Sequence, residues 1–349
     1  MALDYTQTAP PAPSRRDPSK PPVRWGILGT GWIAMFFMDG FPKDGSCEVV
    51  AVAGHSQAKA DAFAAEHHIP RAYGTLEELC ADPQVDVVYI ATPTSGHAPQ
   101  IIACLEAGKH VLCEKTITMS GAQLDLCIEA AQRNHKILAE GLTSVYEPVM
   151  DFMAKKVRAG EYGDVQFITV TCGSDKPYDA TNRYFSPALG GGAIFDIGCY
   201  AIGFAHYFMS SYPTQVLSQG EICSTGVDSK STYLLSNDQH QLATVAISLR
   251  SKTEKIGIIA CEKAFIRIEQ FIRAHRAEVR YPDGRLEIYD FPVRHLDAEV
   301  EAMNDAIEQG LTQVPQCPIA LSRSILQVMD TARAQWGYSF EFEKEGRPW

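Results

Sequence analysis

Six residues near the start of the chain can do the first recognisable chemistry. Gly29-Thr30-Gly31-Trp32-Ile33-Ala34 fits the G-x-G-x-x-G/A spacing. The apolar run Arg24 to Leu28 leads into it as a buried strand, and Ile33 to Phe41 reads as the helix it opens. A strand that turns sharply into a helix makes a cradle for a pyrophosphate. Gly29 permits the tight turn, Gly31 lets the backbone approach the ligand, and Ala34 allows close helix–strand packing. The helix start, with Thr30, Trp32 and Ile33, offers N–H donors and its dipole to the phosphates. Trp32 either covers the cofactor or anchors the first helix. The next strand, Glu48 to Ala53, runs into Gly54-His55-Ser56-Gln57, with Lys59 beyond. Nicotinamide enzymes specific for NAD place Asp or Glu here to hold the ribose hydroxyls. No carboxylate stands here. Ser56 and His55 can donate hydrogen bonds and Lys59 can add charge, a pattern that favours NADP and leaves NAD possible.

These residues need a frame, and the patterning supplies one. After the second strand, Gln57 to Glu66 reads as helix and Val85 to Ala91 as strand. His97 to Ala107 reads as helix stopped by Gly108, followed by a strand at His110 to Cys113. Leu124, Cys127, Ile128 and Ala131 recur at helical spacing, and Ile137 to Ala139 closes the series. Such alternation predicts an α/β Rossmann domain, a doubly wound parallel sheet, over 23–141. The pattern then changes. A helix at Val149 to Ala159 precedes strands at Val165 to Thr171, Ser231 to Leu235, Leu242 to Leu249, Lys255 to Ala260, Phe265 to Glu269 and Ala277 to Tyr281. A helix at Ala193 to Met209 interrupts them. This predicts an α+β domain with a mostly antiparallel open sheet over 142–349, for substrate binding and dimerisation. The closing helices, Ala298 to Gln309 and Leu321 to Trp336, can pack back on the Rossmann domain. Residues 1–22, rich in proline, read as a disordered tail.

The bulk numbers set the class. A chain of 349 residues suits two domains. The formal net charge of −11 argues against nucleic acid as partner, since no basic field collects phosphates. The 10 cysteines form no CxxC pair, so they read as reduced thiols, and no spacing suggests a metal site. No run approaches a transmembrane span, no membrane partner is expected, and the default location is cytoplasmic.

Two further segments make the chain resemble a known family. They are Ala91-Thr92-Pro93-Thr94-Ser95-Gly96-His97 and Ala107-Gly108-Lys109-His110-Val111-Leu112-Cys113-Glu114-Lys115. With the glycine turn, they resemble the Gfo/Idh/MocA oxidoreductases. Ala188 to Tyr200 is similar to the dihydrodiol and D-xylose dehydrogenases within that family. The resemblance implies that Thr92, Pro93 and His97 line the cofactor and that Glu114 and Lys115 form the family's Glu-Lys pair, with Lys115 beside the nicotinamide. It also implies that Asp196 and Tyr200 belong to the D-x-G-x-Y element of the substrate domain.

The chemistry of those residues is consistent with that role. Moving a hydride to or from a carbonyl carbon requires matched proton transfer at its oxygen. Asp196 and Tyr200 are i and i+4, so an α-helix puts them on one face. Lys115 follows a buried strand at the end where ligands of open α/β sheets bind. It can polarise the substrate oxygen while Tyr200 donates the proton and Asp196 orients the network; Lys115 as the direct acid/base is the competing assignment. Arg183 can bind a polar substrate group, and Tyr184 or Phe185 can stack on it. Trp336 and Trp349 read as packing residues.

Two departures stand out. Thr116 occupies the place of the family's proline after the Glu-Lys pair. Thr143, Ser144 and Val145 replace an aromatic-Arg segment that shapes the substrate pocket in relatives. The expectation is an NADP-dependent oxidoreductase for the carbonyl or secondary alcohol of a sugar-like or small-metabolite substrate, working as a homodimer or higher homo-oligomer. Its rivals are a non-catalytic NAD(P)-binding regulator, and an epimerase or lyase using nicotinamide transiently.

Overall fold

The computed structural model describes residues 5–7 and 20–349. They form two compact units. One contains 20–141, 295–319 and 348–349, and the other contains 5–7, 142–294 and 320–347.

Among the described residues, the first unit is built on six strands: β1 (Val23–Leu28), β2 (Cys47–Ala53), β3 (Arg71–Tyr73), β4 (Val87–Ile90), β5 (His110–Glu114) and β6 (Leu138–Gly141). All pair in parallel in the order β3-β2-β1-β4-β5-β6. That is a doubly wound sheet whose order reverses beside β1. Such strands are covered on both faces, which is why β4 is a continuous apolar run with every residue buried. Helices α1 (Trp32–Gly40), α2 (Gln57–His67), α3 (Leu76–Ala81), α4 (His97–Glu106) and α5 (Gly121–Arg133) connect the strands. Gly108 ends α4 at φ +77°, a left-handed conformation that glycine adopts without cost. The pair β3 and α3 was not anticipated. β3 is too short and too evenly half-buried to show alternation. The box Thr75-x-x-Glu78 was the legible sign of α3: each residue's side chain receives the other's backbone N–H. The helix Asp297–Glu308 belongs to this unit as well, and its Asn304 Oδ1 accepts the Trp25 indole N–H at 3.0 Å.

The second unit opens with α6 (Thr143–Tyr146) and α7 (Pro148–Arg158). Then come β7 (Val165–Gly173), α8 (Cys199–Phe208), β8 (Gln215–Ile222), β9 (Asp228–Ser236), β10 (Leu242–Ser248), β11 (Ile256–Cys261), β12 (Phe265–Glu269), β13 (Arg276–Arg280) and β14 (Leu286–Asp290). Within a nine-stranded sheet these eight run in the order β14-β13-β12-β11-β7-β10-β9-β8 and pair antiparallel except for β7 with β10. Every residue of α8 is buried, as an all-round apolar helix requires. Its Phe204 ring leaves no room for a side chain at position 257: a Cβ there would lie 2.1 Å from Phe204 Cζ, so β11 carries glycine.

Three expectations need correction here. By length and composition, Pro187–Phe208 is apolar enough to cross a membrane, but 78% of its most apolar 18-residue window is buried inside the fold, so that window belongs to the core. Tyr5–Gln7, within the supposed disordered tail, forms a strand paired in parallel with Leu286–Ile288. The open edge of β14 offers unpaired backbone groups that an extended segment can satisfy. Residues 1–4 and 8–19 lie outside the described residues, and with them the rest of that expectation. Trp349 is exposed, not a packing residue. Trp336 does pack, its ring so close over Gly220 that a Cβ there would sit 2.6 Å from Cδ2.

Candidate functional site

Each unit carries part of the expected set. In the first, the glycine turn follows β1. Gly29 takes φ +115°, and a Cβ on it would lie 2.6 Å from the Ala91 carbonyl oxygen, so only glycine fits. Gly31 is the opposite case. A Cβ there would meet nothing within 4 Å, which leaves open space over the turn. α1 begins here with neither a capping side chain nor a carboxylate in its first turn. Such a helix start lacks an acceptor for its first N–H groups, and an anion supplies one. Ala34 is fully buried, as close packing demands. Trp32 is 65% exposed and stacks on Phe36 at 5.6 Å.

At the end of β2, His55 and Lys59 are exposed, and Ser56 starts α2 without forming a capping hydrogen bond. This edge adjoins the turn, since Thr30 Cγ2 lies 3.5 Å from where a Gly54 Cβ would stand.

Beyond β4, Thr92 is half-buried, with its hydroxyl 2.5 Å from Gln100 Oε1, and Pro93 is exposed. His97 is fully buried. Its Nε2 lies 2.9 Å from the Thr92 carbonyl and its Nδ1 3.0 Å from the Thr116 carbonyl. Burial first, and the Lys115 charge with it, hold the imidazole below its usual pKa. A neutral ring donates to only one of the two carbonyls. With no exposed surface, His97 reaches a ligand only through the two segments it ties together.

Those segments carry the Glu-Lys pair. Glu114 is buried at the end of β5. Its Oε1 accepts the Tyr89 hydroxyl at 2.6 Å and its Oε2 the Lys115 N–H at 3.2 Å. Lys115 is half-exposed. The Lys115–Thr116 peptide is cis. Thr116 is held by His97 on one side, and the next residue on the other, where Ile117 N–H donates to Glu140 Oε1 at 3.0 Å. The segment is therefore anchored without the family's proline. Glu140 escaped the sequence reading; a carboxylate inside a buried strand was its only signal.

In the second unit, the predicted helix Ala193 to Met209 is not uniform. Ile194–Gly198 form a π-helical turn that continues as α8. Asp196 lies in the wide turn and Tyr200 at the start of α8, so no regular α-helical face joins them. Such turns recur at functional sites. Tyr200 is 7% exposed. The Arg183 guanidinium lies 3.8 Å from Asp196 Oδ1 and 4.2 Å above the Tyr184 ring, and Lys176 Nζ lies 4.6 Å from the same ring. Arg183, Tyr184 and Asp196 thus form one cluster, with Arg183 61% exposed. Phe185 does not join it. It is fully buried beside Tyr178, centroids 5.0 Å apart, and cannot stack on a ligand. Thr143, Ser144 and Val145 are all buried in α6, and the Ser144 hydroxyl has no hydrogen-bond partner among the described residues.

Comparison with known proteins bears on both units. The model of the Gfo/Idh/MocA oxidoreductase family, NAD-binding Rossmann fold, matches residues 23–142, and that of the Gfo/Idh/MocA C-terminal domain matches 151–286. The chain is 31% identical over 331 residues to trans-1,2-dihydrobenzene-1,2-diol dehydrogenase of Xenopus laevis, covering 91% of this chain and 99% of that protein. It is 30% identical over 323 residues to scyllo-inositol 2-dehydrogenase (NADP(+)) of Bacillus subtilis (strain 168), covering 90% and 97%. In fold it is similar to aldose-aldose oxidoreductase from Caulobacter crescentus complexed with glycerol, with TM-score 0.82, 22% identity and coverage of 90% and 98%.

Proposed function

Because the chain belongs to the Gfo/Idh/MocA oxidoreductase family, we propose that it is an NADP-dependent dehydrogenase or reductase of a sugar-like diol, polyol or hydroxy ketone. The observation that carries the cofactor half is the helix start at Gly31, open and uncapped beside a glycine that tolerates no side chain. Gly29, Thr30, Gly31, Trp32 and Ile33 would hold the pyrophosphate. His55, Ser56 and Lys59 would hold the 2′-phosphate, with no carboxylate to repel it. Thr92, Pro93, Glu114 and Lys115 would border the nicotinamide, with His97 tying their two segments together through the Thr92 and Thr116 carbonyls. When bound, the nicotinamide supplies or takes the hydride.

The chain's residues do the rest. Lys115 holds the substrate oxygen, Tyr200 moves the proton at that oxygen, Asp196 orients Tyr200, and Arg183 and Tyr184 hold neighbouring polar groups. The names of the two curated relatives, a dihydrodiol and an inositol dehydrogenase, support a substrate with adjacent hydroxyls.

Titration with NADPH and NADH, followed by tryptophan fluorescence, tests the cofactor half. Trp32 is the reporter. NADPH is expected to quench and to bind at least about tenfold more tightly than NADH, a difference of about 1.4 kcal/mol. Equal affinities remove the assignment of His55, Ser56 and Lys59; no binding of either removes the reading. Net oxidation of NADPH during turnover separates a dehydrogenase from an epimerase.

A homodimer is part of the same proposal. Leu217 on β8 and Leu234 on β9 stand opposite in register, and both are exposed. Light scattering should give twice the chain mass, and a monomer at micromolar concentration would exclude it.

A further inference from the structure

One buried group outside this scheme touches the backbone that carries it. Asp228, the first residue of β9, is fully buried. Its Oδ1 and Oδ2 both receive the Ile194 N–H, at 3.2 and 3.1 Å. The Ser231 hydroxyl donates to Oδ2 at 3.2 Å and lies 2.8 Å from the Tyr233 hydroxyl. Ile194 is the first residue of the π-helical turn, which has no side-chain cap of its own. Gly192 lets the backbone come this close: it sits at φ +118°, and a Cβ would fall 2.5 Å from Asp228 Oδ1. The cap that Ser or Asp usually provides locally is here provided by a carboxylate 34 residues away.

We propose that Asp228 is a positioning residue for the reaction, its buried carboxylate setting the place and rotation of the turn that presents Asp196 and Tyr200. The proposal rests on the reading that those two residues act on the substrate. Burial pushes the Asp228 carboxyl up to about 7, against the pull of the N–H and hydroxyl donors. Two phenols face it, Tyr233 on its own strand and Tyr338 near the C-terminus, and the Cys223 thiol lies beside Val227, the preceding residue. Behind Tyr338, Arg333 is paired with Glu343 at 2.8 Å. A carboxyl whose folded pKa is raised stabilises the fold at low pH, and that contribution is lost as pH rises through about 7. The ionised form therefore costs stability, yet it alone offers both oxygens to the Ile194 N–H. A protonated carboxyl, or an Asn amide, turns one of those acceptors into a donor.

The test compares the full-length wild type with Asp228→Asn, Ser231→Ala and Tyr200→Phe. Rates are read on trans-1,2-dihydrobenzene-1,2-diol and scyllo-inositol with NADP, alongside amide hydrogen exchange over 193–200. The wild-type rate is expected to fall below about pH 7 as Asp228 protonates, an acid limb of the pH–rate profile. Asp228→Asn is expected to lower kcat about tenfold or more, with NADPH affinity unchanged, and to abolish that limb. It should also speed exchange at Ile194 without speeding that of α1. Ser231→Ala removes a single donor to the ionised form, so it should keep the fold and move the acid limb to higher pH. Asp228→Asn with wild-type rate, limb and exchange overturns the proposal, as does an unmoved limb in Ser231→Ala. If neither substrate is turned over, the exchange result decides. Full activity in Tyr200→Phe strikes the underlying reading instead, and so the two failures are distinguishable.

Discussion

Replacing Tyr200 with phenylalanine should lower kcat about 10²–10⁴-fold, the span that one positioned proton donor contributes. NADPH quenching should stay within about twofold, because the change lies in the second unit and the cradle in the first. Tyr200 is largely buried at the start of a helix whose residues are all packed, and phenylalanine keeps the ring volume. The loss would therefore belong to the hydroxyl and not to the fold. Lys115→Met gives the complement. If Tyr200 is the acid, its phenylalanine variant loses the pH dependence of that proton and the Lys115 variant keeps it. The reverse pattern would make Lys115 the acid/base and leave Tyr200 a hydrogen-bonding role. Wild-type rates in both variants would remove the proton assignment altogether.

Gly31→Val should abolish NADPH binding while leaving the fold intact. The new side chain enters space that holds no neighbouring atom within 4 Å of its Cβ, so nothing inside the unit resists it. What it does resist is a ligand approaching the helix start. We expect affinity to fall at least about 100-fold, near 2.7 kcal/mol, with melting unchanged. Gly29→Val is the control with the opposite signature. There the side chain meets the Ala91 carbonyl oxygen and a φ of +115°, so stability should drop by about 1–3 kcal/mol or more. Unaltered NADPH affinity in Gly31→Val would show that the turn does not hold phosphates.

The first unit was readable because parallel strands covered on both faces spell continuous apolar runs, and because Gly29 and Gly108 mark where the chain must bend. What escaped was short, balanced or, like β8, half-buried along a face of Val216, Ser218 and Gly220 that is not apolar. β3 has three residues, and β14 is half-buried at every position, so neither shows an alternation to read. The tie residues escaped for a different reason. Glu140 reaches Ile117 across 23 residues and Asp228 reaches Ile194 across 34, and no local period announces such a contact. Asp196 and Tyr200 stand four residues apart in the sequence, but the widened turn that holds Asp196 is not legible there, since nothing in Ile194 to Gly198 distinguishes a π turn from an α turn. Phe185 looked like its neighbour Tyr184; only packing separates the buried ring from the one under Arg183.

The path of the chain has a practical meaning for recombination between relatives. Gly141 looks like a clean seam, since β6 ends there and the other unit begins at the next residue. Yet residues 295–319 return to the first unit. Asn304 meets the Trp25 indole, and His295 lies edge-on to Phe36, 5.5 Å from the ring beside the glycine turn. A chimera joined at Gly141 that takes everything beyond it from another parent would pair one parent's α1 with the other's partner for it. A workable exchange keeps 295–319 from the recipient and takes both 142–294 and 320–347 from the donor, so that the transplant has junctions at Gly141, Arg294 and Ile319 and not at Gly141 alone.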